Sequence, residues 1–198
     1  MINVTDLQNF KSWIFDMDGT LTVAAHDFDG IREELGIAAG TPILEAIEGM
    51  PAAQAATTSA RLHQLELDIA AQSTAQPYAH EMLEHLQKRG VSLGILTRNA
   101  RDIAQVTLQA AQLSDYFDDA CIIGREQCAP KPDPAGILRL MQQWQSTAET
   151  TIMVGDYVFD LQAGRNAGVA TVHFDTTAQY PWPEHTDFAV DHLSQLVS

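Results

Sequence analysis

The chain has 198 residues, of which 45% are hydrophobic and 19% are charged, so it can build and bury the core of one ordinary domain. This composition excludes a predominantly disordered chain. Its 11 basic and 26 acidic residues give a formal net charge of −15, which disfavours binding to nucleic acid or to an anionic membrane surface.

Short apolar runs alternate with helical segments along most of the chain. The runs that we predict to be strands are Ser12–Phe15, Val91–Leu96, Ala120–Ile123, Thr151–Val154, Val169–His173 and Phe188–Val190. The helical segments between them are Pro77–Arg89, Asn99–Ala110, Pro134–Trp144 and Val158–Ala167. The runs lack polar alternation, which is typical of strands that are buried on both faces. The pattern therefore predicts an α/β protein whose core is a Rossmann-like, three-layer parallel sheet.

Two helix ends carry their own signals. Gly90 follows Pro77–Arg89 and is a good residue to end a helix. Asn99 stands at the start of the next predicted helix, and Asp102 three residues later resembles the second half of a capping box. We therefore expect Asn99 to cap that helix.

The segment between the first strand and Pro77 breaks the alternation. It contains no strand run, but it has three helical patterns at roughly Phe28–Leu35, Pro42–Glu48 and Pro51–Ala71. One crossover helix is enough after the first strand, and the helix that begins near Pro77 supplies it. We therefore expect residues 22–76 to form a small helical cap, inserted into a core of residues 1–21 and 77–198. The alternative is a helical layer that only covers one edge of the sheet.

Polar residues follow four of the predicted strands. They are Asp16, Asp18, Gly19 and Thr20 after the first, Thr97, Arg98 and Asn99 after the second, Lys131 after the third, and Asp156 and Asp160 after the fourth. The carboxyl ends of parallel strands lie at one edge of a sheet, which is where ligands bind in such folds. We therefore expect these side chains to share one site.

This set of residues suits phosphoryl transfer. A carboxylate attacks phosphorus only if the negative charge of the phosphate is screened. Asp16 and Asp156 could hold Mg²⁺, which prefers oxygen ligands, and Lys131 adds a positive charge. Asp18 lies two residues beyond Asp16, so in extended chain both side chains point the same way, and Asp18 could exchange a proton with the departing group.

Three further residues complete the predicted phosphate site. Gly19 permits a tight turn out of the first strand. The hydroxyl of Thr97 suits a phosphate oxygen, and the helix that starts near Asn99 offers an anion site at its N-terminus.

These motifs resemble those of the haloacid dehalogenase-like hydrolases, a superfamily of Mg²⁺-dependent aspartyl phosphatases. DxDGT matches residues 16–20, the hydroxyl after the second strand matches Thr97, a KPDP-type turn carries Lys131, and GDxxxD matches residues 155–160. The resemblance implies that Asp16 is the nucleophile and Asp18 the general acid/base. It implies that the metal is held by the Asp16 and Asp156 carboxylates and by the Asp18 backbone carbonyl. It also implies that Asp160 holds metal-bound water or orients Lys131.

The insert resembles the C1 cap of this superfamily, and the motifs are most similar to the phosphoglycolate phosphatase-like branch. Phosphoglycolate is accordingly the single substrate that we favour, while sugar phosphates and nucleoside monophosphates stay open. Arg32 and Arg61 are the basic residues of the cap and the natural anchors for a second anionic group, with His26 and His63 as assistants. Arg98 faces either the pocket or the surface.

Two other functions stay open from the sequence. A phosphomutase would form the same aspartyl-phosphate and return the phosphate to a sugar. A non-catalytic module would bind metal or phosphate without turnover, although it would not need both Asp16 and Asp18.

The cellular location and the partners of the protein are predicted from features that the chain lacks. Cys121 and Cys128 form neither a disulfide framework nor a CxxC pair, and Met1–Lys11 is unlike a signal peptide. No run approaches the ~20 apolar residues of a membrane-spanning helix. We expect a cytoplasmic monomer or weak homodimer that binds a small phosphorylated metabolite and neither nucleic acid nor membrane.

Overall fold

Six parallel strands form one sheet at the centre of the computed structural model, which describes residues 4–23 and 28–197. The strands are β1 (Ser12–Phe15), β2 (Ser92–Leu96), β3 (Ile122–Ile123), β4 (Thr151–Gly155), β5 (Ala170–Phe174) and β6 (Phe188–Val190). The α-helices of the described residues are α1 (Phe28–Leu35), α2 (Ile43–Glu48), α3 (Ala52–Ala70), α4 (Ala79–Lys88), α5 (Arg101–Ala110), α6 (Ala135–Trp144) and α7 (Val158–Ala167). The predicted α/β class and parallel sheet are confirmed.

The order of the strands places a reversal at the middle of the sheet. The order is β3-β2-β1-β4-β5-β6, so the chain builds outward from β1 to β3 and then returns to the other side of β1. Phe15 at the end of β1 lies in register with Ile95 on one neighbour and Val154 on the other. The residues after β1 and β4 therefore lie at the switch point, where this type of sheet binds its ligands.

Alternate side chains of β1 enter the two cores that cover the sheet. Trp13 and Phe15 pack on one face, and Ile14 packs on the other with Met153 of β4. All four side chains are fully buried, and each such burial stabilises the fold by roughly 1.5–3 kcal/mol. This explains why the strand runs are continuously apolar.

The third strand is shorter than predicted. Asp119–Cys121 forms a 3₁₀ turn instead of extended chain, and the Asp118 carboxylate accepts a hydrogen bond from the backbone N–H of Ala120 (2.9 Å). This local side-chain bond competes with the sheet, which leaves only Ile122–Ile123 as β3.

The prediction that Asn99 caps its helix is wrong. The helix α5 begins at Arg101, and Ala100 occupies the N-cap position without a side-chain hydrogen bond. The Glu126 carboxylate accepts from the backbone N–H of Arg101 (3.0 Å) and takes the place of the expected cap. It also supplies a negative charge at this helix end, so the predicted anion site there is already occupied by a side chain.

The helices α1, α2 and α3 lie over the carboxyl edge of the sheet and pack around an apolar cluster of their own. The buried members of this cluster are Ile31, Ile37, Ile47 and Leu62. The two connecting segments pair with each other, because the backbone N–H of Val23 donates to Thr74 (3.0 Å) and that of Gln76 donates to Leu21 (2.9 Å). Within the described part of the chain, every helix is too short or too polar to cross a membrane.

Candidate active site

Lys131 is the positive centre of a carboxylate cluster at the switch point. Its ammonium group contacts Oδ1 of Asp16 and lies 2.6 Å from Oδ1 of Asp160. Lys131 is only 3% exposed. One carboxylate oxygen from each of Asp16, Asp156 and Asp160 lies within 4.8 Å of the other two. The turn after β3 therefore brings a cation to acids that follow β1 and β4.

Burial and mutual repulsion shape the charges in this cluster. Burial raises the pKa of Asp16 well above its ordinary value, and nearby carboxylates add to this effect while Lys131 opposes it. Burial and the Asp160 carboxylate likewise raise the pKa of Asp156 to about 6. Although burial lowers the pKa of Lys131, its two carboxylate partners raise it above the ordinary value, so this lysine is fully charged.

The donor set fits a divalent cation such as Mg²⁺. Three carboxylates converge on one point, and oxygen is the ligand that Mg²⁺ prefers. Lys131 is the one cation bonded to this cluster among the described residues, so three carboxyl groups share a single positively charged partner.

Gly19 lets the turn after β1 approach the Asp156 carboxylate. Its φ is +88°, a conformation that residues with a side chain rarely adopt. A Cβ at this position would lie 2.3 Å from Oδ2 of Asp156. The hydroxyl of Thr20, the next residue, donates to Oδ1 of Asp156 (3.1 Å). The glycine is required by both backbone conformation and space, and Thr20 orients the acid.

Asp160 is held at both of its oxygens. Oδ1 contacts Lys131, while Oδ2 accepts from the backbone N–H of Tyr157 (3.0 Å) in a capping box at the start of α7. A Cβ at Gly155 would lie 2.2 Å from Cβ of Asp160, so the strand end must be a glycine for the acid to fit. Asp160 is therefore fixed beside Lys131, and its carboxylate also lies close to those of Asp16 and Asp156.

Asp18 is tied to the residues that come after β2. The side-chain amide of Asn99 donates to Oδ2 of Asp18 (2.7 Å), which explains why Asn99 does not cap a helix. The backbone N–H of Asn99 donates to the hydroxyl oxygen of Thr97 (3.0 Å). The hydroxyl proton of Thr97 therefore stays available to a ligand oxygen, and both Thr97 and Asn99 line the cavity above the carboxylates.

That cavity has a volume of about 550 Å³ and lies between the sheet edge and helices α1–α3. Arg98 lines it, which decides between the two placements open for this residue. Its guanidinium lies 5.1 Å from the centroid of the Phe159 ring and 3.1 Å from the Glu45 carboxylate.

The predicted basic anchors of the cap differ in placement. Arg32 lines the cavity, but its guanidinium donates to the Thr41 carbonyl (2.9 Å) and pairs with Asp29 (2.7 Å). Arg61 pairs with Glu34 and is not among the residues that line the cavity.

Of the two predicted assisting histidines, the structure describes His63 alone. His63 also lies outside the cavity lining and contacts Asp102 of α5 (3.1 Å). His26 lies outside the described residues.

Sequence reasoning missed a second ion pair in the cavity wall. Both terminal nitrogens of Arg125 donate to the Glu66 carboxylate (2.8 and 2.9 Å), and Glu66 is only 7% exposed. Arg125 stands just after β3, so its position at a strand end was a usable signal. Glu66 lies within α3 and gives no such signal.

Comparisons with known proteins agree with this geometry. The family model described as haloacid dehalogenase-like hydrolase matches residues 32–174. An uncharacterized hydrolase of Saccharomyces cerevisiae is 27% identical over 198 residues, which cover 96% of this chain and 91% of that protein. Pyrophosphatase PpaX of Oceanobacillus iheyensis is 25% identical over 209 residues and 96% of each chain.

A solved structure shows the same fold at lower identity. It is described as a predicted phosphoglycolate phosphatase from Haemophilus somnus, and it matches with a TM-score of 0.76 at 19% identity. The match covers 96% of this chain and 97% of that one.

Proposed function

Because the chain belongs to the haloacid dehalogenase-like hydrolases, we propose that it is a Mg²⁺-dependent phosphatase that acts on a small phosphorylated metabolite. The observation that carries the proposal is the contact of Lys131 with both Asp16 and Asp160 at the switch point, with Asp156 alongside. The relative PpaX is named a pyrophosphatase, which supports hydrolysis at phosphorus as the reaction class.

Asp16 is the nucleophile of this proposal. Its carboxylate oxygen attacks phosphorus and forms an aspartyl-phosphate, while the bond from phosphorus to the alcohol oxygen breaks. Asp16 and Asp156 would hold the metal together with the Asp18 backbone carbonyl. When bound, Mg²⁺ supplies positive charge that screens and polarises the phosphate.

The remaining residues move a proton and hold the phosphate. Asp18, fixed by Asn99, gives a proton to the departing alcohol oxygen and then takes one from the water that cleaves the aspartyl-phosphate. Lys131 and the Thr97 hydroxyl stabilise the negative phosphate oxygens. Asp160 keeps Lys131 in place, so it acts as a positioning residue.

The proposal includes the division of the chain into a core of residues 1–21 and 77–198 and a cap of residues 22–76. The separate apolar cluster of α1–α3 and the paired connecting segments support this division. A cap over the carboxylates would exclude water from the reacting phosphate and select the alcohol part of the substrate.

The test is phosphate release from a panel of phosphorylated metabolites, with Mg²⁺ or with a chelator, by the wild type and by Asp16→Asn. Release should require Mg²⁺ and should fall by at least roughly 10³-fold in Asp16→Asn, whose thermal unfolding stays close to that of the wild type. Wild-type-like release by the variant would exclude Asp16 as the nucleophile. Sugar-phosphate isomerisation without net release would indicate the phosphomutase instead.

A further inference from the structure

The cavity wall opposite the carboxylates is mainly apolar. The cap contributes Ile31, Pro42, Ile43, Leu44 and Leu62, and the core contributes the ring of Phe159. None of these side chains can hold a metal ion or a phosphate. They form the surface that meets whatever part of a ligand extends from the reacting phosphate.

The arginines that line this wall already have carboxylate partners. Glu66 neutralises Arg125 through two hydrogen bonds of 2.8 and 2.9 Å, and Glu45 lies 3.1 Å from Arg98. The third, Arg32, is occupied by Asp29 and a backbone carbonyl. A second anionic group on a ligand would therefore meet Glu66 or Glu45 and would compete for an arginine that is already paired.

The size of the cavity points in the same direction. About 550 Å³ lies within the range that encloses a drug-sized ligand, far more than a phosphate with a two-carbon chain requires. Apolar atoms that fill this space are removed from water, whereas a carboxylate placed there loses hydration without gaining a free cation.

We propose that the substrate is a phosphate monoester whose alcohol part is uncharged, mainly apolar and several carbons long. We propose further that Glu66 is a specificity-determining residue, because its pairing with Arg125 excludes substrates with a second anionic group. This inference rests on the proposed phosphatase activity. It disfavours phosphoglycolate, whose carboxylate stands one carbon from the phosphate ester.

The first experiment measures kcat/KM for matched pairs of phosphate esters. The uncharged series is ethyl, butyl and hexyl phosphate, and the charged counterparts are phosphoglycolate, 3-carboxypropyl phosphate and 5-carboxypentyl phosphate. We expect kcat/KM to rise by up to roughly fourfold per added methylene in the uncharged series. We expect each charged counterpart to react at least about tenfold more slowly than its uncharged partner.

The second experiment removes the negative charge beside Arg125. In Glu66→Gln the ratio of kcat/KM for the charged ester to that for its uncharged partner should rise at least about tenfold, because Arg125 is then free to pair with the ester carboxylate. The matched control is Glu34→Gln, which breaks the Arg61 pair outside the cavity and should leave this ratio unchanged.

Both kcat/KM values of this ratio are measured on the same variant, so a loss of activity that affects the two esters equally does not change the ratio. If Glu66→Gln does not fold, Glu45→Gln removes the more exposed partner of Arg98 and should shift the ratio in the same direction. A preference of the wild type for the charged esters, or an unchanged ratio in the folded Glu variant, would overturn this inference and leave the phosphatase intact. Absence of Mg²⁺-dependent release from every ester and metabolite would overturn the proposed function, and the inference with it.

Discussion

Substitution of Gly19 by alanine tests whether the turn after β1 sets the position of Asp156. The variant carries a Cβ at φ +88°, which costs roughly 1–2 kcal/mol of stability in an L-residue. The new Cβ would also lie 2.3 Å from Oδ2 of Asp156, more than 1 Å inside the ~3.5 Å of ordinary contact. The carboxylate must therefore move by about 1 Å, a displacement that can cost roughly 100-fold in rate.

The matched control is Gly168→Ala at the end of α7. Gly168 has φ +75°, but a Cβ there meets nothing within 4 Å, so this variant has the backbone cost alone. Gly168→Ala should lose about 1–2 kcal/mol of stability, or roughly 2–8 °C in Tm, and Gly19→Ala should lose at least as much, because the contact with Asp156 adds to the same backbone cost. Only Gly19→Ala should lose Mg²⁺ affinity in calorimetry and about 100-fold in kcat/KM. Equal Mg²⁺ affinity in the two variants would refute the reasoning.

Charged residues give three further predictions. Lys131→Met should lower kcat by roughly 10²–10³-fold. It should also lower the free energy of unfolding by about 3–5 kcal/mol, because it leaves buried carboxylates unpaired, and urea unfolding that matches the wild type would contradict the buried contacts. Arg61→Ala should keep kcat/KM within about twofold of the wild type, because Arg61 forms an exposed ion pair with Glu34 that contributes roughly 0.2–1 kcal/mol to stability. A tenfold loss of kcat/KM would show that Arg61 belongs to the site. Burial raises the pKa of Asp175, but hydrogen bonds to its carboxylate, that of Thr177 first, outweigh burial and lower the pKa to about 2. In the unfolded chain this pKa is near 3.8, so the ionised carboxylate stabilises the fold fully above that pH and loses this effect as the pH falls toward 2. The stability difference between the wild type and Asp175→Ala should be about 1–2 kcal/mol at pH 6 and about half of that at pH 3, and a difference that does not change between these pH values would exclude the titration.

The elements of the core could be predicted because burial leaves a direct mark on the sequence. Ser12–Phe15 and Thr151–Gly155 lie between two helical layers, so each is one apolar run, and β1 was predicted to the residue. The predicted edge strand β3 is too long because the hydrogen bond that the Asp118 carboxylate accepts from the backbone N–H of Ala120 turns the chain before Ile122. The pattern of apolar residues in the sequence contains no information about such a bond.

The acids and the lysine of the candidate site could also be named from the sequence. Asp16, Lys131 and Asp156 each come after a strand, and parallel strands bring the residues at their carboxyl ends to one edge of the sheet. The hydrogen bond from Asn99 to Asp18 could not be predicted, because the two residues are 81 positions apart in the chain. The residues next to Asn99 are equally consistent with a helix cap.

The sequence by itself determined the fold class, the helical insert and which polar residues follow the strands, because periodicity and residue type act over a few neighbouring positions. Only the tertiary structure decided which charges are free. Arg125 and Glu66 are 59 positions apart and meet only when α3 lies over the sheet edge. Their pairing makes a basic part of the cavity wall neutral. This pairing depends on the distance between the two side chains, which cannot be read from the order of residues.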